Sequence, residues 1–460
     1  MNTPKFNLKR REDIITEVRR YELITPLFGG GVKPQEPDPV STVRAASVRG
    51  QLRFWWRATR GGQFASLDEL RKAEEVLWGG AAVIGKDGKL ERGGPGLVQV
   101  EVAEVKGGER YVPYEIVERN GKYRPRHKDQ SSLAYFDFPL QPTEQEQKQN
   151  IPQSKMKGVT VGVQFQVTLC ISVAFPESCT VVFHGTPHAE VLATLWAWET
   201  FGGIGGRIRR GFGALNRADA QSLTLANQQV IQTIHADWDQ HVIETHQHPH
   251  LSQLRDKQRN LKVAQGAKWG EPIRAWEYLA EQLKLFRQHR DPETGNSRTP
   301  GRSHWPEPDS IRLALGNSSR PHPPRLTVRK FPRAAFGLPI ITKFKDDKSG
   351  DPQKTSLQPK GSTRRASPLI LRPALYRDAQ GELFAVAIAL ILSGDQMSPT
   401  GLQLVDDSGR KFDVSDVPLT IADAQEIKTH PQLLGGKLDL TAGANDEGTI
   451  DILRAFLDTL

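Results

Sequence analysis

The chain reads as an α+β protein built from two units, and three observations predict it. Strand-like alternation and helix-like periodicity interleave along the sequence instead of separating into runs. Its 460 residues exceed what one ordinary core holds. From about Gln221 the pattern starts afresh, so the expected division is 1–220 and 221–460.

Residues 13–26 alternate Ile15, Val18, Tyr21 and Leu23 with polar partners and end in the turn Pro26-Leu27-Phe28-Gly29-Gly30-Gly31, as a first strand does. Residues 43–62 carry a 3.6-residue period that puts Val48, Leu52, Trp55 and Thr59 on one stripe of a helix. Arg49, Arg53, Arg57 and Arg60 fall on the adjoining stripe. Ser66, with Glu69 three residues later, reads as the capping box of a second helix that stops at Trp78-Gly79-Gly80. Residues 97–105 and 159–175 alternate as strands, and the Gln-, Glu-, Lys- and Pro-rich stretch 139–157 reads as a mobile insertion. Residues 188–200 predict a helix with Val191, Leu192, Leu195 and Trp198 on one face. In the second half a helix is expected near 273–287, then strands near 338–344, 367–376 and 382–392. The polar stretch 344–365 is expected to loop out, and 450–460 to close the chain as an amphipathic helix.

Composition narrows the function classes. The balance of 62 Lys+Arg against 53 Asp+Glu gives +9, and a pI near 9.4 points to a polyanionic partner. Residues 1–20 are too charged for a signal peptide. The longest apolar run, 384–392, is far below the roughly 20 residues that span a bilayer; it reads as a buried strand. Cys170 and Cys179 are the only cysteines, which excludes a disulfide framework or a cysteine-based zinc site and fits a cytoplasmic protein with free thiols.

Two constellations carry chemistry. The first is the arginine helix, with Arg44 just ahead of it and no acidic residue anywhere from Ser41 to Ser66. Its cations suit phosphates, and Trp56, at the seam between stripes, is placed to stack on a base. A plainer reading makes these arginines a solvated face whose stems lean over the core edge. The second is the loop Phe201-Gly202-Gly203-Ile204-Gly205-Gly206-Arg207-Ile208-Arg209-Arg210-Gly211-Phe212-Gly213. Gly203, Gly205, Gly211 and Gly213 let backbone amides approach an anion, while Arg207, Arg209 and Arg210 supply charge and bidentate donors. The plainer reading is a chain reversal. A dinucleotide fingerprint fails because this loop follows a helix, and a P-loop fails for lack of Gly-Lys-Ser/Thr.

The histidines admit weaker readings. His241, His246, His248 and His250 lie in a polar segment without the motif of a metal site, so no metal or other cofactor is expected. A metal-independent nuclease would draw a general base from His184, His188 or His304 and a cation from Arg207 or Arg209. The first two histidines flank a turn and the third sits beside Trp305-Pro306. Trp55, Trp56, Trp196, Trp198 and Trp305 suit protein interfaces as well as bases.

Three segments together resemble the RAMP superfamily of CRISPR-associated proteins: Ile24-Thr25-Pro26-Leu27-Phe28-Gly29-Gly30-Gly31, Val48-Arg49-Gly50-Gln51-Leu52-Arg53-Phe54-Trp55-Trp56-Arg57, and the glycine loop. Within that superfamily the resemblance is to the first RAMP subunit of type III-B (Cmr) effector complexes. Gly301 to Arg312 and Ser367-Pro368-Leu369-Ile370-Leu371-Arg372 extend it into the second half. The resemblance implies two tandem ferredoxin-like domains with loop insertions, and a glycine loop at a sheet edge that contacts RNA. It also implies a non-catalytic subunit near the 3′ end of a guide (cr)RNA that captures target single-stranded RNA in antiviral defence. Its partners would be other RAMP and small subunits, with no membrane involved. The alternative within the superfamily is a metal-independent endoribonuclease that processes guide RNA.

Overall fold

The computed structural model describes residues 13–31, 36, 38, 41–84, 90–218, 227–264, 269–288, 303–316, 326–344, 351–352, 354–378, 380–394, 401–414, 418–429, 440–445 and 448–460. The chain forms two compact units. The first comprises 1–257, 265–277 and 371–388; the second comprises 258–264, 278–370 and 389–460. The expected start of the second half near Gln221, the Gly301-Arg302 pair and part of the polar stretch (345–350) lie outside the described residues.

In the first unit the elements run β1 (Ile14–Leu23), α1 (Ala45–Arg60), α2 (Leu67–Trp78), β2 (Gly80–Ile84), β3 (Leu90–Gly94), β4 (Val98–Lys106), β5 (Glu109–Tyr111), β6 (Tyr114–Arg119) and β7 (Lys122–His127). They continue with α3 (Ala134–Asp137), α4 (Glu144–Lys148), β8 (Val159–Val161), β9 (Gln164–Ser172), α5 (Pro187–Phe201), β10 (Leu215–Arg217) and α6 (Asn227–His241). The central sheet has the order β10-β1-β9-β4. Every pair in it is antiparallel, with Ile14 opposite Ser172, Val98 opposite Ile171, and Leu23 opposite Leu215. β1 and β4 are joined through α1 and α2, and β9 and β10 through α5, so the helices must return across the sheet between non-neighbouring strands. Phe165, Val167, Leu169 and Ile171 of β9 are buried, alternating with their neighbours as a one-faced sheet requires.

Helix α1 buries Val48, Leu52, Trp55 and Thr59, the expected stripe, and also Trp56, Ala58 and Arg60. Each large apolar side chain moved out of water contributes about 1.5–3 kcal/mol, which fixes this face against its neighbours. Trp55 lies 6.1 Å from Phe201 of α5 between ring centroids, and Trp198 of α5 meets Tyr21 of β1 at 5.2 Å. Ser66 caps α2 by accepting the Glu69 N–H, as expected, and Gly79 ends that helix at φ +77°. The Glu69 carboxylate takes the Ala65 N–H, one residue before the cap.

Three expectations change. Residues 159–175 do not form one strand: Gly162 at φ +72° separates β8 from β9, and β8 pairs with β5 in a sheet of its own. The stretch 139–157 is not featureless, because Thr143 and Glu146 form a reciprocal capping box that starts α4. Two hairpins, β2–β3 and β6–β7, lie where no strands were expected.

The chain goes on through α7 (Lys257–Asn260), β11 (Leu261–Val263), α8 (Pro272–Gln288), α9 (Glu307–Ala314), β12 (Ile340–Lys343), β13 (Lys354–Pro359), β14 (Leu369–Arg377) and β15 (Leu383–Ile391). It closes with β16 (Leu402–Asp406), β17 (Lys411–Val414), β18 (Leu419–Thr420), α10 (Ile421–Thr429), β19 (Thr449–Ile450) and α11 (Ile452–Leu457). β14 and β15 are neighbours in one sheet, and β15 is buried on both faces as its unbroken apolar run predicts. In the second unit β12-β13-β16-β17 form an antiparallel sheet. Its core gathers Ile311, Phe331, Leu338, Leu357, Leu402 and Leu404. β13 corrects the expectation that 344–365 loops out: Thr355, Leu357 and Pro359 alternate inward within a polar sequence. Asp451 caps α11 by accepting the N–H groups of Leu453 and Arg454.

Candidate nucleic-acid interface

The three segments singled out in the sequence converge within the first unit. Gly206 N–H donates to the Phe28 carbonyl at 2.7 Å and Gly213 N–H to the Pro26 carbonyl at 2.9 Å, which zips the glycine loop to the turn after β1. Thr25 Oγ1 donates to the Gly211 carbonyl at 2.6 Å and accepts from Ala214 N–H at 2.9 Å. Arg44, at the head of α1, reaches the same turn through the Gly30 carbonyl at 2.7 Å. The Arg209 guanidinium lies over the Phe54 ring of α1 at 5.6 Å.

The glycines answer first to the protein. A Cβ on Gly213, at φ +60°, would stand 2.0 Å from the Ile204 carbonyl oxygen. One on Gly211, at φ +81°, would stand 2.5 Å from the Trp276 indole nitrogen. The amides of Ile204, Gly206, Arg210, Gly211 and Gly213 already donate to protein carbonyls. Those amides are therefore spent on loop shape, which corrects the expectation of a cradle built from the loop's amides at large.

The loop's arginines differ in what surrounds them. Arg207 takes a left-handed conformation, φ 57°, and its guanidinium lies over the rings of Phe28 at 5.8 Å and Phe138 at 5.2 Å. Burial pulls its pKa down, only partly opposed by the field of Asp137. Its Nε is buried and has no hydrogen-bond partner, and among the described residues it forms no ion pair. Arg209 reaches Ser252 Oγ at 3.4 Å, and Arg210 Nη1 its neighbour's carbonyl at 3.3 Å.

Along α1 the expected arginine stripe divides. Arg49 is exposed and has no hydrogen-bond or ion-pair partner among the described residues, while Arg44 is exposed beside Asp38. Arg53 and Arg57 both meet Glu74 Oε1 at 2.6 Å. Arg60 is buried against Glu190, 2.7 Å away. Trp56 is fully buried and donates its indole N–H to Glu190 Oε2 at 2.8 Å, so it is not free to stack on a base. The missing acids of α1 come from α2 and α5, which local sequence does not reveal.

The four other tryptophans named from the sequence are also interior. Trp55, Trp198 and Trp305 are buried, and Trp196, half-buried, donates to Asp237 at 3.2 Å; none offers an open stacking platform or interface anchor. His188 is 2.8 Å from Glu17, the backbone N–H of His184 donates to Gln63, His248 is 3.1 Å from the Phe64 carbonyl, and His304 is buried. Among the described residues no group of three or more His, Cys, Asp or Glu side chains is arranged to hold a metal ion. Cys170 and Cys179 are free thiols.

Sequence reasoning missed Arg372. It is 1% exposed, and its guanidinium donates to the carbonyls of Glu199 at 2.7 Å, Gly202 at 2.9 Å and Leu215 at 2.7 Å, on both flanks of the glycine loop. Its signals in the sequence are a single charge inside the apolar strand 369–376 and its place at the end of the segment Ser367 to Arg372 quoted above, neither of which assigns it a role.

Residues 20–216 match the family model of the RAMP superfamily. A curated relative, CRISPR system Cmr subunit Cmr1-2 of Pyrococcus furiosus, is 27% identical over 201 residues, covering 42% of this chain and 90% of the relative. Among solved structures, Cmr1 from Pyrococcus furiosus in its apo form aligns over 84% of this chain and 90% of its own at 16% identity and a TM-score of 0.43. A chain of a type III-B Cmr-beta complex bound to cognate target RNA and AMPPnP aligns over 84% and 96% at 12% identity and a TM-score of 0.44. All three converging segments fall within the matched residues, so the part of this chain that is similar to the RAMP superfamily, residues 20–216, is the part that holds the candidate interface.

Proposed function

We propose that this chain is a non-catalytic RNA-binding subunit of a type III-B CRISPR effector, seated near the 3′ end of the guide RNA and touching target RNA beside neighbouring RAMP and small subunits in the cytoplasm. The observation that carries this reading is Arg207: a half-buried guanidinium within the glycine loop, braced by two aromatic rings and without an ion pair among the described residues. A partly desolvated cation that no ion pair among the described residues neutralises favours an anionic ligand, and a phosphate matches the guanidinium fork. We add Arg44, Arg49, Arg209 and Arg210 as further phosphate contacts, whereas Arg53, Arg57 and Arg60 are engaged by Glu74 and Glu190 and Trp56 is buried. Phosphate and stacking contacts carry little base information, so sequence choice falls to guide–target pairing.

The order β10-β1-β9-β4, with helices joining β1 to β4 and β9 to β10, supports a ferredoxin-like reading of residues 1–220. We extend that reading to a second such domain in 221–460.

The test is binding of single-stranded RNA by the full chain and its Arg207→Glu, Arg49→Glu double variant. Affinity should fall at least tenfold, with a slope of log affinity against log salt reduced by about one per lost phosphate contact. Unchanged affinity overturns the reading, as does metal-free cleavage of labelled RNA that disappears in His188→Ala or His304→Ala.

A further inference from the structure

Within the first unit lies a cavity of about 420 Å³ whose walls join three aromatic rings, Tyr111, Phe212 and Trp276, to five charged or titratable side chains, His127, Asp129, Asp137, Arg274 and Glu277. Phe212 belongs to the glycine loop, and Pro26 of the adjoining turn also lines the space. His127 is nine-tenths buried. Its Nε2 lies 3.0 Å from Asp137 Oδ2, while Asp137 Oδ1 accepts the Tyr114 hydroxyl at 2.7 Å. An acceptor carboxylate fixes the hydrogen on Nε2. Nδ1 is buried and has no partner.

Burial opposes a charge on this ring, but the hydrogen bond and field of Asp137, joined by Asp129 and Glu277, carry its pKa above the usual value. Nδ1 is the ring atom left for a ligand, a donor when the ring is protonated and an acceptor when it is neutral. Asp129, exposed at the rim, uses Oδ2 for the Tyr111 hydroxyl at 2.7 Å. Glu277 is held by Ser131 at 2.6 Å and Arg274 at 2.9 Å.

A ligand that satisfies these walls needs a flat ring for Tyr111, a hydroxyl for His127 Nδ1, able to accept or donate, and a donor hydroxyl or amine for Asp129. A ribonucleotide has all three, and a cavity of this size is within the range of small-ligand sites. We propose that the cavity takes one unstacked ribonucleotide, its base against the half-buried Tyr111 ring, with the buried Phe212 and Trp276 backing the pocket, and a hydroxyl on His127. This deepens, and rests on, the RNA-binding reading above; the nucleotide comes from a bound strand, with a free mononucleotide as the other source of the same chemistry.

The test is photo-labelling of the full chain with single-stranded RNA containing 4-thiouridine and, separately, with 8-azido-AMP, followed by mapping of the adducts. RNA adducts on peptides holding Tyr111 or Trp276, reduced at least tenfold in His127→Gln and Asp129→Leu while overall RNA affinity moves less than threefold, support the inference. Asp129→Leu, at an exposed position, keeps the test decisive if His127→Gln fails to fold. Adducts only elsewhere on a chain that still binds RNA overturn the cavity assignment and leave the RNA-binding reading standing. Labelling by 8-azido-AMP alone overturns the strand-borne source. No RNA binding at low salt overturns both readings.

Discussion

Arg60 and Glu190 are 130 positions apart in sequence and 2.7 Å apart in space. Glu190 is completely buried and accepts from Arg60 Nε and Nη2, from the Trp56 indole N–H at 2.8 Å and from Gln63 at 3.1 Å. One carboxylate on α5 thus collects the inward donors at the end of α1. Removing it strands a buried guanidinium and a buried indole N–H together. Glu190→Ala is expected to cost about 3–5 kcal/mol, the range for breaking a buried pair on one side. Urea denaturation monitored by tryptophan fluorescence measures it.

What the sequence reveals here follows the range of the interaction that decides each feature. Val48, Leu52, Trp55 and Thr59 lie within three turns of one helix, and Ser66 caps its own helix, so both are legible from spacing. The role of Arg53, Arg57 and Arg60 depends on Glu74 and Glu190, which only the fold brings near; the acid-free run 41–66 therefore overstated the free charge on α1. β13 hides in a polar stretch because its partners Ile340 and Leu404 are remote. The glycine loop was found by its residues, but what its glycines touch, Ile204 and Trp276, is a matter of packing.

Arg49 and Arg60 are adjacent on the helical wheel and should separate cleanly in experiment. Arg49→Glu sits in solvent and should leave the melting temperature within about 2 °C, consistent with a surface change of less than ~0.5 kcal/mol. It should nevertheless weaken single-stranded RNA binding and lower the salt slope by about one. Arg60→Glu places a second carboxylate against Glu190 and should abolish folding before any RNA measurement is possible. Circular dichroism melts beside filter binding distinguish the two.

Gly50 and Gly213 give opposite signs for the same substitution. A Cβ on Gly50 meets nothing within 4 Å, and the residue sits inside α1, so Gly50→Ala should stabilise by roughly 0.5–1 kcal/mol. Gly213→Ala combines φ +60° with a 2.0 Å approach to the Ile204 carbonyl and should destabilise by more than about 2 kcal/mol. Midpoints of thermal unfolding for the two variants check both directions.

His127 makes stability depend on pH. Its folded pKa is raised above 6.5, burial being outweighed by the Asp137 hydrogen bond and surrounding carboxylates. The folded state therefore holds the proton more tightly than the unfolded chain. This contribution is complete below pH 6.5 and fades as pH rises through the higher folded value. His127→Gln, which keeps a donor to Asp137, should flatten the stability profile above pH 6.5. Urea midpoints from pH 5.5 to 9 show the slope in the parent chain and its loss in the variant.

Arg372 tests whether the loop is held from outside the family-matched region. Burial pushes its guanidinium down to about 10, and its donors meet carbonyl oxygens: Pro373, Glu199, Gly202 and Leu215. Four acceptors in a fixed arrangement suit a planar fork and not a single ammonium. Arg372→Met leaves those carbonyls without this donor and should cost at least about 2 kcal/mol. Arg372→Lys should not restore what is lost, because one nitrogen at the end of a flexible stem cannot reach both flanks of the loop. Hydrogen exchange reads the effect locally: amide protection of Ile204, Gly206 and Gly213 should fall in both variants, while that of the β1–β9 ladder changes less. Equal loss throughout the unit would make Arg372 a core residue with no particular hold on the loop.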